Sequence, residues 1–339
     1  MKINCIYVSN NLISTHQNET LNLLAKNLLT FGLTFNSVKF VKNDSEQILS
    51  CLKENMDSLN IVVTDCNLFF KPEAYNAVVI SEDLNELKVN FLEKVVPKIE
   101  PNTNTQTTML KVFGLPENEI LNAIESFVSS CPYISLTTFS NDLDTTLVVS
   151  YDANTNQQEL NNYIANIYER LRKFIYSSDD ISLYQLAIDL LTIGNKSLSI
   201  FETITGGNVA CEFSKCKQTA DVITKATVSN NINTLINDYN VNAGIIKKYG
   251  LVSVESTYEI ASAILETKPN DTILVTCGDT NSGNNTCFIA IGDSEGIHVY
   301  KNTCKGSKNQ IIDTISKCSV FYLIKKLKQN DLFFNKIYV

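Results

Sequence analysis

Arginine is all but missing: in 339 residues it occurs only as Arg170 and Arg172, both in one helix-like stretch. A bidentate guanidinium clamp for phosphate or carboxylate is therefore excluded elsewhere, and lysine, hydroxyl or backbone N–H groups would have to take that role. Histidine is limited to His16 and His298, and the ten cysteines include no C-x-x-C pair, Cys211 and Cys216 being nearest in sequence. No zinc-type cluster can be assembled from such spacings, and no metal site is expected. Positive charge is also in deficit, with a net charge of −8, so no electrostatic case exists for nucleic acid or an anionic membrane. No apolar run reaches the roughly 20 residues of a membrane span. The start, "MKINCIYVSN", lacks a charged segment followed by a long apolar one and reads as a first strand, not a leader. Glycine, proline and tryptophan are scarce while asparagine, isoleucine and lysine abound, a compositional bias to which no function attaches. These absences point to a soluble, cytoplasmic protein with free thiols in a reducing compartment.

What is present is 44% hydrophobic residues, enough for two or three cores. "KINCIYV", "FNSVKFV", "LNIVVTD" and "AVVI" read as strands alternating with helices near 18–31, over "SEQILSCLKENM" and over "EDLNELKVNFLEKVV". Such alternation favours a parallel sheet covered by helices. The polar, turn-rich "EPNTNTQ" at 100–106 marks a boundary. A β-α-β-β-α set follows: the strand "TTMLKVFG", a helix opened by Pro116, the strands "YISLTTFS" and "TTLVVSYD", and the helix "QQELNNYIANIYERLRKFI". "SSDD" at 177–180 supplies capping residues and a second boundary. The last region has helices at "ISLYQLAIDLLTIG", near Thr205, around 253–266 and from about 307 to 328. Between them lie the strands "SLSIFE", "TILVT", "TCFIAI" and "GIHVY". The fold class is thus α/β and α+β, in several domains.

Three short stretches, in order, carry a resemblance: "SLSIFETITGG", "VFGLPENEI" and "YGLVSVESTYEIASAI". They are similar to the CinA family, the competence/damage-inducible proteins, whose carboxy-terminal domain is a nicotinamide mononucleotide deamidase. In the family pattern Ala-Glu-Ser-Cys-Thr-Gly-Gly, residues Glu202, Thr205, Gly206 and Gly207 match, and Thr203 stands at the serine. The resemblance implies a truncated molybdopterin-binding-like domain at 1–102, a KH-like module at 103–177 and an α/β/α deamidase-like domain at 178–339. The first of these is tied in the family to metal-dependent ADP-ribose hydrolysis. Here Asn10 and Asn11 stand where two carboxylates are expected and the family's glycine-rich loop is absent, so neither metal nor pyrophosphatase activity is expected. A Gly-x-x-Gly loop is missing from the middle module, which argues against RNA binding there.

The resemblance makes Thr203 the candidate nucleophile, with Glu202, Thr205, Gly206, Gly207 and Lys308 as candidate ligand-binding residues. The family's tyrosine, lysine and arginine are replaced by Val228, Asn233 and Lys308. A threonine hydroxyl needs a base within hydrogen-bond reach, and Lys215 and Lys225 are the remaining candidates. Its β-branched side chain either aims at a substrate or satisfies nearby backbone. Thr205-Gly206-Gly207 is either an anion cradle or a threonine N-cap followed by packing glycines. "GDTNSGNN" at 278–285 either lines a cleft or simply connects strands, and "KNTCKGSKN" either meets a phosphate through Lys305 or Lys308 or is a solvated turn. His298 reads as an ordinary half-exposed strand residue and His16 as a loop residue. "DLFFNKIYV" reads as an edge strand or a subunit contact. The expected function is that of a divergent CinA-like protein with reduced or lost deamidase activity. The alternative is a non-catalytic nucleotide-binding or assembly protein. The expected ligand is a pyridine nucleotide or related phosphate-bearing small molecule, with no cofactor, and a homo-oligomer is expected.

Overall fold

A computed structural model describes residues 1–9, 15–68, 70–100, 104–128, 133–141, 143–279 and 286–330. Asn10, Asn11, most of the 278–285 loop and the 331–339 tail lie outside the described residues, as does the side chain of His16. The chain divides into two compact units, Met1–Ser178 and Asp179–Val339.

The first unit holds two sheets. Strands β1 (Ile3–Val8), β2 (Ser37–Val41), β3 (Leu59–Val63) and β4 (Ala77–Ile80) pair in the order β2-β1-β3-β4, all parallel. Helices α1 (Thr15–Leu29) and α2 (Ser45–Glu54) and a 3-10 turn at Pro72–Tyr75 connect them in turn, and α3 (Leu84–Asn90) follows β4. The side chain of Asp44 caps α2 by accepting from the Glu46 and Gln47 N–H groups. The helix expected over 82–96 does not run through: α3 gives way to a π-type turn at Phe91–Val95 and a 3-10 turn at Val96–Lys98. Pro97 brings no N–H and cannot continue the ladder. Apolar residues cover both faces of the sheet, with Cys5, Tyr7 and Ile61 on one and Ile6, Val8 and Val62 on the other.

The second sheet is antiparallel, in the order β6-β7-β5-β8. Its strands are β5 (Thr105–Phe113), β6 (Ile134–Asn141), β7 (Asp144–Asp152) and β8 (Ile175–Ser177). Helices α4 (Glu117–Val128) and α5 (Gln157–Leu171) cover one face through Ile120, Ile124, Leu160 and Ile167, packed on Leu110, Val112, Leu147 and Val149. β8, held only at Lys111 and Val112, has no counterpart in the sequence reading.

The second unit opens with α6 (Leu183–Ile193) and centres on β9 (Ser197–Glu202), β10 (Ile223–Val228), β11 (Asp271–Gly278), β12 (Thr286–Asp293) and β13 (Gly296–Thr303). Their order is β10-β9-β11-β12-β13, with β9 parallel to both neighbours and the β11-β12-β13 ladder antiparallel. Between β9 and β10 lie the short helices α7 (Asn208–Ser214) and α8 (Thr219–Val222). The polar crossover from β10 forms α9 (Ile232–Tyr239) and α10 (Ala243–Tyr249) before α11 (Val254–Thr267). Phe201, Ile273, Val275 and Ala290 pack against Leu235, Ile246, Ile260 and Ile264 on one face. The final helix, α12 (Lys308–Asn330), lies against β11, β12, α6 and α7.

At the opening of β11, buried Asp271 accepts Ser197 Oγ and Ser199 Oγ at 2.6 Å each, and the Thr224 hydroxyl as well. Burial pushes its carboxyl up, but the three hydroxyls and the Lys268 charge outweigh that and hold it below the usual aspartate value. A depressed folded-state value stabilises the protein above the unfolded-state pKa and ceases to do so as pH falls through the folded one. The unit should accordingly lose stability as pH falls through and below the ordinary aspartate value of about 3.9. Urea unfolding curves over that range check this, and Asp271→Asn should flatten the fall.

Candidate functional site

The carboxyl ends of parallel strands leave a crevice where the chain turns into helices, the usual ligand position in open α/β sheets. In the second unit that position is the end of β9, where Glu202, Thr203, Thr205, Gly206 and Gly207 are brought together. Glu202 and Val228 are cross-strand partners, and a Cβ on Gly207 would sit 3.4 Å from Val228 Cγ2. Two successive left-handed residues, Gly206 at φ +59° and Gly207 at φ +96°, swing the chain through the turn. Side chains other than glycine strain there, which is why two glycines stand together. They also delay the helix: α7 begins at Asn208, with Gly207 as its cap, so the threonine N-cap reading of Thr205 is corrected. Thr205 Oγ1 instead meets Thr276 Oγ1 at 2.7 Å.

Glu202 is fully buried, and its carboxyl takes over the helix start. Oε2 accepts from Gly207 N–H at 3.0 Å and Val209 N–H at 3.1 Å, and Oε1 from Ala210 N–H at 2.8 Å. The other amides of the turn close internally. Gly206 N–H reaches the Thr203 carbonyl at 3.2 Å, Asn208 N–H that of Thr205 at 3.0 Å, and Cys211 N–H that of Gly207 at 2.9 Å. No amide from Gly206 to Cys211 is left open to an external anion. The positive end of α7 is met by this chain's own acidic side chain.

Thr203 is 2% exposed. Its hydroxyl donates to the Thr276 carbonyl at 3.0 Å, with the Gly278 carbonyl at 3.3 Å, and accepts from Gly278 N–H at 3.0 Å. Its own N–H also reaches the Thr276 carbonyl, at 2.9 Å. Among the described residues no lysine, histidine or carboxyl group is a hydrogen-bond partner of this hydroxyl. Next along β11, burial pushes the Cys277 thiol up to about 11, against the contacts from Thr257 and Thr203 that lower it. Cys277 therefore holds a neutral thiol at neutral pH.

The other expected residues lie apart from this turn. Lys308 opens α12 and is exposed. The contact from α12 to the turn is made by Ser316, whose Oγ accepts Asn208 Nδ2 at 2.9 Å. Asn233 is in the first turn of α9, its N–H held by Asn231 Oδ1 at 2.9 Å. Lys225 lies within β10, its ammonium 4.5 Å from the Tyr239 ring centre, and Lys215 pairs with Glu212 at 2.6 Å. Thr276 and Gly278 were not singled out as partners of Thr203; a strand of the form "TILVTCG" gives no sign of which carbonyls its end will offer. Among the described residues no group of three His, Cys, Asp or Glu side chains could hold a metal ion, and no helix is long and apolar enough to cross a membrane.

Residues 180–327 match the family described as the CinA C-terminal domain. A putative competence-damage inducible protein of Clostridium botulinum (strain Okra / Type B1) is 25% identical over 222 residues, covering 64% of this chain and 54% of that protein. A protein of the same description from Clostridium beijerinckii is 22% identical over 302 residues, covering 85% of this chain and 69% of its own. Among solved structures, the competence-damaged protein (CinA) superfamily protein of Klebsiella pneumoniae 700603 is 19% identical, with a TM-score of 0.41. It covers 43% of this chain and 96% of that one. The chain spans about half the length of the first of these relatives.

Proposed function

With residues 180–327 a CinA C-terminal domain, we propose that this chain is a divergent CinA-like protein whose scaffold has lost the amide hydrolysis of nicotinamide mononucleotide. The observation that carries this reading is the Thr203 hydroxyl: it is spent on the backbone of β11, and among the described residues no lysine, histidine or carboxyl group bonds to it. An alcohol attacks an amide only when its proton has somewhere to go. Val228 and Asn233 stand at the positions matched to the family's tyrosine and lysine, and neither can accept a proton from it. The saturated helix start supports the same conclusion, since Glu202 occupies the amides that a substrate phosphate would use. The finer readings of residues 1–102 as molybdopterin-binding-like and 103–177 as KH-like belong to this proposal. The parallel order of the first sheet and the β-α-β-β-α order of the second support them.

Incubating the protein with nicotinamide mononucleotide and measuring ammonia tests the proposal. No release above the protein-free rate is expected, and Thr203→Ala should leave that baseline unchanged while lowering stability by about 1–2 kcal/mol through its lost hydrogen bonds. Turnover that disappears in Thr203→Ala would overturn it.

A further inference from the structure

We propose that the second unit carries a binding site for a small α-amino acid in its zwitterionic form, towards the opposite end of β9 from the Thr203 turn. A cavity of about 150 Å³ lies where the last turns of α9 and α11 meet β9 and β10, lined by Ser199, Lys225, Asp238, Tyr239, Ile264 and Lys268. Ser199 and Lys225 are cross-strand partners, and Lys268 follows α11 just ahead of β11. Because β9 lies between β10 and β11, the two lysines flank Ser199 from either side. About 10 Å of sheet separates their strands, a gap that two lysine side chains span together. A register shift between Ile223 and Lys225 brings Thr224 and Lys225 to the same, helix-covered face. There the Thr224 hydroxyl reaches Asp271, and the Lys225 ammonium stands 4.5 Å from the Tyr239 ring centre. Bulges re-aim side chains in this way beside ligand sites.

The balance of charge selects the ligand. Among the described residues Lys225, Lys268 and Asp238 form no ion pair, so all three lining charges are available. Asp271, whose carboxylate accepts the Ser197, Ser199 and Thr224 hydroxyls behind the cavity, adds a second negative charge. Two positive and two negative groups give no net preference for an anion such as phosphate. A carboxylate between Lys225 and Lys268, with an ammonium on Asp238, satisfies the three lining groups at once. The buried Tyr239 ring and Ile264 supply an apolar wall for a compact side chain. A wholly apolar guest would desolvate these charges and give them no partner, which is costly. The site does not depend on whether the Thr203 turn is active.

Ligand-observed NMR and calorimetry on the full chain, with L-alanine, L-valine and L-leucine as probes, test this. Saturable binding of at least one is expected, with a dissociation constant of about a millimolar or below. For whichever binds best, the analogue lacking the amino group, the analogue lacking the carboxyl group and inorganic phosphate should each bind at least about tenfold more weakly. Lys225→Gln and Lys268→Gln should each weaken the amino acid by a similar factor. Asp238→Asn should weaken the amino acid but not its deaminated analogue. All three side chains are exposed, so melting curves of the variants should match wild type. No saturable binding of any probe up to about 20 mM, an affinity unmoved by the three substitutions, or phosphate held as tightly as the amino acid would overturn the proposal.

Discussion

Replacing Glu202 by alanine is expected to destabilise the second unit by about 3 kcal/mol or more, a larger effect than any catalytic reading of this residue requires. The carboxyl is fully buried and accepts from Gly207, Val209 and Ala210 N–H groups at 2.8–3.1 Å. Truncation leaves three donors without acceptors at the start of α7 and opens a void between strand and helix. Buried donors that lose their partner bear their full desolvation cost. Glu202→Gln separates the two parts of the effect. It keeps the volume and one acceptor oxygen but turns an NH2 group towards amides that are themselves donors, so its loss should fall between wild type and alanine. Urea unfolding measures both. Protection of the three amides from hydrogen exchange should drop first in the alanine variant. A Glu202→Ala protein as stable as wild type would contradict the capping role.

Gly278→Ala should be nearly as damaging, at about 2–3 kcal/mol. A Cβ there would stand 2.7 Å from Ile204 Cδ1, 3.0 Å from Cys287 Cβ and 3.1 Å from Ile204 Cβ. The first contact involves the tip of a flexible side chain that can rotate aside. The other two are with atoms next to the backbone of the turn and of β12, and those can yield only by moving the chain. Gly278 also donates its N–H to Thr203 Oγ1 at 3.0 Å, so displacement there loosens the latch between β9 and β11. Combining Gly278→Ala with Ile204→Val removes the 2.7 Å contact alone, and a double-mutant cycle should show partial, not full, rescue. Equal unfolding midpoints for Gly278→Ala and wild type would rule out the close packing described.

How much could be read from the residues depends on how much apolar patterning each element carried. β4 at Ala77–Ile80 and β9 at Ser197–Glu202 match their sequence expectations residue for residue, because a wholly apolar run (AVVI) and an alternating one that ends in Ile-Phe (SLSIFE), each followed by polar residues, leave little choice. β5, α4, α5, α11 and α12 were legible to within a few residues for the same reason. β10, with the sequence "ITKATV", was missed: it is largely exposed and alternates weakly. α9 and α10 were missed because they are only eight and seven residues long, too short for a helical period to stand out, and each starts at an asparagine cap, Asn231 and Asn242. At the site, the glycines were recognisable as a turn, but its occupant was not. A glutamate three residues before a threonine-glycine pair reads as a group for a ligand. Only the three-dimensional path of Gly206 and Gly207 reveals that its carboxyl folds back onto the helix that follows. Thr203 was weighed as a backbone-satisfying hydroxyl, but the carbonyls it meets, at Thr276 and Gly278, lie more than 70 residues away.

The placement of α12 bears on how the chain matures during synthesis. Ile311, Ile315, Val320, Leu323 and Ile324 are buried, and the helix that carries them lies against β11, β12, α6 and α7. Those apolar surfaces therefore stay uncovered until residues 308–330 have been translated. The first unit holds its own cores within Met1–Ser178 and can close while the ribosome is still at work. The nascent second unit waits with an unsealed flank, and during that interval it is exposed to chaperones and to premature association.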